Sequence, residues 1–115
     1  MKKFILGTTL AVFAALSAFS VYRYDRALTL MWDNNPPADQ VTQYKLYIGT
    51  SPTNYTVSYL SSTNTLTLQT NQFFPGKTNY FAVSAINSVG LESELSDEIS
   101  EFIITPPNKP INLRR

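Results

Sequence analysis

Apolar and polar positions alternate in short runs along most of the chain. Leu28, Leu30 and Trp32 alternate with Thr29 and Met31, and Tyr44, Leu46 and Ile48 alternate with Lys45 and Tyr47. A period of two is that of a strand with one face buried, because successive side chains point to opposite sides of the pleat. Between these runs, Asp33 to Asp39 (DNNPPAD) carries two prolines and four Asn or Asp residues and breaks the first strand. Gly49-Thr50-Ser51-Pro52 turns the chain after the second. A weaker strand is predicted over Tyr55 to Leu60. Thr63 to Gln69 gives another, rich in β-branched threonine, with Leu66 and Leu68 inward. Pro75-Gly76 marks a turn, after which Phe81, Val83 and Ala85 alternate most clearly of all. A last strand runs from about Ile99 to Ile104 and is stopped by Pro106-Pro107. Six short strands and no convincing helix predict a two-sheet sandwich or a small barrel.

The leading residues follow a different rule. Lys2 and Lys3 precede an uncharged apolar run from Phe4 to Phe19, which ends in small residues. That is the layout of an export signal, with cleavage after Ser20 or after Ala18. Residues 4–19 are short for a spanning helix of about 20 residues, and the alternative is an uncleaved membrane anchor. No cysteine follows the run, so a lipid anchor is unsupported. The expected organisation is therefore 1–20 signal peptide or anchor, 21–107 a single domain, and 108–115 a tail or truncated linker. The protein is expected outside the cytoplasm: extracellular, periplasmic, or on a cell or virion surface.

Composition narrows the class further. The chain has 115 residues, enough for one domain, and only 15% are charged. A charged share below the usual quarter, with abundant Thr, Asn and Ser, suits an all-β domain. Nine Lys and Arg less Lys2 and Lys3 leave seven against eight Asp and Glu, so no basic patch for nucleic acid is available. There is no cysteine, so packing alone stabilises the domain.

From Ala27 to Pro107 the chain resembles a fibronectin type III domain of the kind found in exported bacterial and phage proteins. Leu28-x-Leu30-x-Trp32 matches the family's second strand, and Tyr44-x-Leu46-x-Ile48-Gly49 its third. Pro75-Gly76 matches the turn before the sixth strand, and Phe81-x-Val83-x-Ala85-x-Asn87-x-x-Gly90 matches that strand and the loop after it. The resemblance implies an immunoglobulin-like antiparallel β-sandwich of seven strands, non-catalytic, serving spacing, adhesion or protein contact. Two departures matter. Only Val21 to Arg26 precede the second strand, so the first strand, strand A, is expected to be short or missing. The family's corner tyrosine, counted from Pro75 and from Ala85, falls on Asn79, which places Tyr80 on the opposite face; the alternative is an extra residue in the turn after Pro75-Gly76 that returns Tyr80 to the corner.

Function is less legible. With no histidine and no cysteine, the commonest general base and metal ligand are missing, as is thiol catalysis. The four glycines are too dispersed for a phosphate loop. No enzyme activity and no cofactor are expected. Asp33, Asn34, Asn35 and Asp39 could offer oxygens to calcium, but Asn and Asp at such spacing are ordinary turn formers. The acidic run Glu92, Glu94, Asp97, Glu98 and Glu101 reads as a solvated loop and edge strand. Tyr47 and Tyr80 are the candidate contact surface: facing outward from adjacent antiparallel strands, they would be cross-strand neighbours able to anchor a protein or stack on a surface glycan. Ile111, Asn112 and Leu113 are a candidate assembly segment, expected to add to the edge of another subunit where strand A is weak. The expected function is a non-enzymatic exported binding or adhesion module. The alternatives are a structural subunit or spacer of an extracellular or phage assembly and an accessory carbohydrate-binding domain.

Overall fold

The computed structural model describes residues 21–23 and 26–115. The expected leader over residues 1–20 lies outside the described residues, as do Tyr24 and Asp25. The strands in chain order are β1 (Val21–Arg23), β2 (Leu28–Met31), β3 (Val41–Gly49), β4 (Val57–Ser61), β5 (Thr65–Leu68), β6 (Thr78–Asn87) and β7 (Ile99–Ile104), with one 3-10 turn at Pro37–Asp39. They form a five-stranded sheet in the order β1-β7-β6-β3-β4 and a two-stranded sheet of β2 and β5. The protein is thus an all-β, immunoglobulin-like sandwich. All strand pairings are antiparallel except that of β1, which runs parallel to β7 from Val21 opposite Phe102 to Arg23 opposite Ile104. Strand A is therefore present, three residues long among the described residues, and it joins the larger sheet.

The alternation seen in the sequence is what fills the space between the sheets. Leu28, Leu30 and Trp32 from β2 and its end meet Tyr44, Leu46 and Ile48 from β3, Leu68 from β5, and Phe81, Val83 and Ala85 from β6. Trp32 and Tyr44 pack edge to face, with ring centroids 5.5 Å apart and planes at 65°. A side chain such as Leu30 or Ile48, with no exposure left, contributes about 1.5 to 3 kcal/mol by its burial.

Two local geometries tie these strands together. Gly49 ends β3, and a Cβ placed there would lie 2.0 Å from the carbonyl oxygen of Asn54, so only glycine lets the chain fold back so closely. That fold-back takes Tyr55 and Thr56 out of the strand expected from Tyr55 and delays β4 to Val57. Gly76 has φ of +73°, the left-handed conformation that suits glycine in the turn before β6. Strand β6 is buried on both faces from Phe81 to Ala85; on its outer face the Ser84 hydroxyl is met by the Glu92 carboxylate.

Candidate functional site

Asn79 and Tyr80 start β6 on opposite faces. Asn79 is fully buried. Its Oδ1 accepts from the Phe74 N–H at 2.7 Å, and its Nδ2 donates to the Phe74 carbonyl at 2.7 Å and the Lys77 carbonyl at 3.0 Å. The amide thus ties the turn at Pro75-Gly76 to β6, doing with one short side chain what a tyrosine hydroxyl does in the family's corner. Tyr80 is half-buried on the outer face of the five-stranded sheet. Its backbone lies opposite Gly49 on β3 and Ser100 on β7.

The register corrects the expected pairing of Tyr47 with Tyr80. Tyr47 stands opposite Ala82, and Tyr80 opposite Gly49, so the two tyrosines are diagonal rather than direct neighbours. The ring that Tyr47 meets is Tyr55, with centroids 5.9 Å apart and planes tilted by 51°. The Lys45 ammonium lies 5.2 Å from the Tyr47 centroid, within cation–π range. Tyr55 comes from the turn that folds over Gly49, so its position beside Tyr47 could not be read from strand alternation.

The acidic segment after β6 holds this cluster in place. The Tyr47 hydroxyl donates to Glu92, and the Tyr55 hydroxyl donates to Glu98. Glu92 also accepts from the Ser84 hydroxyl at 2.6 Å, and Glu98 accepts from the Thr53 N–H at 2.8 Å. Thr53 has φ of +60°, and that contact helps to hold it there. Burial, the Glu92 hydrogen bond and the Glu92 charge raise the Tyr47 phenol pKa, with Lys45 pulling the other way. Burial and Glu98 raise that of Tyr55. For Glu92, burial opposes ionisation, but the donors Ser84 and Tyr47 and the charge of Lys45 outweigh it, and its pKa is lowered.

Two serines complete the attachment. Ser93 and Ser96 exchange backbone hydrogen bonds with Ala85 and Val83: each donates its N–H, at 2.8 Å, and each accepts through its hydroxyl from the same residue, at 2.8 and 3.0 Å. Hydroxyls here take the place of strand carbonyls, because β7 begins only at Ile99. The acidic run is thus not simply a solvated loop: Glu92 is bonded to Tyr47 and Ser84 in the sheet, Glu98 to the turn between β3 and β4, and Glu101 is buried. The sequence signal was the Ser93-x-x-Ser96 spacing inside the acidic run.

The loop at Asp33 to Asp39 behaves as a turn. Asn35 Nδ2 donates to Asp39 Oδ2 at 2.9 Å, and the Asn35 N–H donates to the Tyr44 hydroxyl at 3.0 Å. Two shallow hollows of about 190 and 420 Å³ flank it. Asp39 lines the smaller one, with Asn35, Asn87 and Ser93, whereas Asp33 lines neither. Among the described residues no group of three His, Cys, Asp or Glu could hold a metal ion. Ile111, Asn112 and Leu113 lie beyond β7, with Ile111 77% and Leu113 98% exposed.

Neither a protein-family model nor a curated protein sequence matches the chain. Solved structures do match. A β-1,2-glucanase from Parabacteroides distasonis superposes with a TM-score of 0.62 at 16% identity, over 93% of this chain but 13% of the glucanase chain. An Fn3-like protein from Clostridium thermocellum matches with a TM-score of 0.54 at 22% identity, over 75% of this chain and 83% of its own. The fibronectin(III)-like modules of Clostridium thermocellum CbhA match with a TM-score of 0.54 at 9% identity, over 90% of this chain and 99% of theirs. At such identities the likeness is one of architecture, and the architecture of this chain is that of a fibronectin type III domain.

Proposed function

We propose that this domain is a non-enzymatic, exported binding module that holds a protein or a surface glycan through the outer face of its five-stranded sheet, around Tyr47, Tyr55 and Tyr80. One observation carries the reading. The Tyr47 ring is fixed from three sides by Tyr55, Lys45 and Glu92. A rigid aromatic loses little conformational freedom on contact, and such residues dominate binding surfaces. Tyr80, two positions away on the diagonal, has no side-chain hydrogen bond among the described residues and supplies a second apolar body with a polar tip. The match to part of a β-1,2-glucanase chain is what favours a glycan over a protein as the partner in this reading.

The test is retention of the chain on insoluble polysaccharides and on surface extracts of candidate hosts. Tyr80→Ala leaves the Tyr47–Glu92 clamp intact and is expected to weaken retention by about tenfold or more; Tyr47→Ala should do the same. Wild-type retention by both variants, each folded by Trp32 fluorescence, would remove the outer face as the contact surface.

A further inference from the structure

We propose that the open edge of β4 receives the segment Ile111–Leu113 of a second copy of this chain as an added antiparallel strand, so that copies join tail to edge. Strand β4 pairs with β3 on one side. Among the described residues no strand pairs with its other side. Exposed edges are normally protected by charge or proline. The eleven residues from Asn54 to Asn64 contain neither.

The flank beside this edge is also incompletely covered. Val57 and Tyr59 from β4 and Leu66 from β5 pack against the core yet remain partly exposed, and Leu60 is 56% exposed. The edge of β2 is a poorer acceptor, since Leu28 and Leu30 are already buried and a new strand there would cover little apolar surface.

The same chain carries a matching donor. Ile111 and Leu113 are apolar, exposed and two positions apart, the spacing that places both side chains on one face of a strand. Pro110 bounds the segment on its N-terminal side, and Pro106 and Pro107 keep the connection extended. Asn112 has φ of +57° in the single chain, so docking requires it to become extended, a change asparagine makes more readily than most residues.

Charge selects the direction. Antiparallel addition brings Arg114 and Arg115 to the Val57 end of β4, next to the turn that holds Glu98 and close in sequence to Glu94 and Asp97. Parallel addition would leave both arginines beside the uncharged stretch Ser61 to Asn64. Direction then selects a second copy. The chain leaves β7 at the same end of the sandwich at which β4 begins, because Thr78 pairs with Phe102, Gly49 with Tyr80 and Ile48 with Val57. A tail entering β4 antiparallel must start at the opposite end, four strand spacings across (about 19 Å) and a strand length along (about 17 Å), which is about 25 Å in a straight line and more around the side of the sheet. The six residues Thr105 to Pro110 extend about 19 Å and cannot also turn back.

The experiment is sedimentation velocity on the full chain over a concentration series up to about 1 mM. Truncation after Pro107, the pair Ser58→Lys and Leu60→Lys, and the pair Arg114→Glu and Arg115→Glu are run beside it. Expected is concentration-dependent growth of the wild type, abolished by truncation, weakened about tenfold or more by either pair, and competed by a synthetic peptide of residues 108–115. Tyr80→Ala should leave it unchanged, so this proposal and the outer-face reading fail separately. Identical mass for the truncated and full chains at every concentration overturns the proposal. Loss on truncation with full association of the β4 pair overturns the assigned edge.

Discussion

Replacing Asn79 by alanine is the sharpest test of the reasoning used for the fold. The side chain is fully buried and makes three hydrogen bonds, all to backbone groups of the preceding turn. A hydrogen bond of this kind contributes about 1 kcal/mol net, and a buried group left unpaired costs about 1 to 3 kcal/mol. Two of the three partners belong to Phe74, which is only half-buried, so water can recover part of the loss. The expected destabilisation is about 2 to 3 kcal/mol, a large share of the stability of a small domain. At about 4 to 8 °C per kcal/mol, the melting temperature should fall by roughly 10 to 20 °C. Trp32, the one tryptophan and 1% exposed, reports unfolding by fluorescence in urea. Tyr80→Ala, half-buried with no side-chain bond, should cost less than about 1 kcal/mol in the same assay. An Asn79→Ala variant within about 0.5 kcal/mol of wild type, or a larger loss from Tyr80→Ala, would refute the assignment of the corner to Asn79.

Two further perturbations follow from the same geometry. Gly49→Ala places a methyl group 2.0 Å from the Asn54 carbonyl oxygen, so the turn to Tyr55 must open; the expected cost is about 2 to 4 kcal/mol in urea denaturation, with loss of the protection of the Thr56 amide that bonds Ile48. Glu92 has a lowered pKa in the folded chain, so its contribution to stability is present above the ordinary value of 4.5 and is lost as pH falls through the lower folded value. A urea-midpoint series from neutral pH downward should show wild type losing its advantage over Glu92→Gln across that window, by less than about 1 kcal/mol because the site faces solvent.

Much of the fold was legible because a half-buried strand writes its burial into the sequence. Leu28, Leu30, Trp32, Leu46, Ile48, Phe81, Val83 and Ala85 all face the core as their alternation required. The off-register corner was legible as one of two alternatives: counting from Pro75 and Ala85 pointed to Asn79, but an extra residue in the turn would have returned Tyr80, and the buried bonds of Asn79 decide it. The outer-face cluster was legible only in part. Alternation placed Tyr47 and Tyr80 outward, but it carries no information about register between strands, and that register made them diagonal. Tyr55 sits in a turn, where side-chain direction follows the fold-back over Gly49 rather than a period. Glu92 and Glu98 read as solvated because a run of carboxylates has no periodicity from which to infer a partner across the sheet.

By itself, then, the sequence determined the strands, the core they build and, through the family resemblance, the sandwich, because these depend on side-chain period and local turn chemistry; the corner residue was settled by the buried bonds of Asn79. Only the tertiary structure decided that β1 attaches in parallel to β7, that Tyr47 rests on Tyr55, and that two serines and two glutamates strap the segment after β6 to the sheet. Those are contacts between residues far apart in the chain. Their partners are set by which edges and faces are left uncovered once the core has closed.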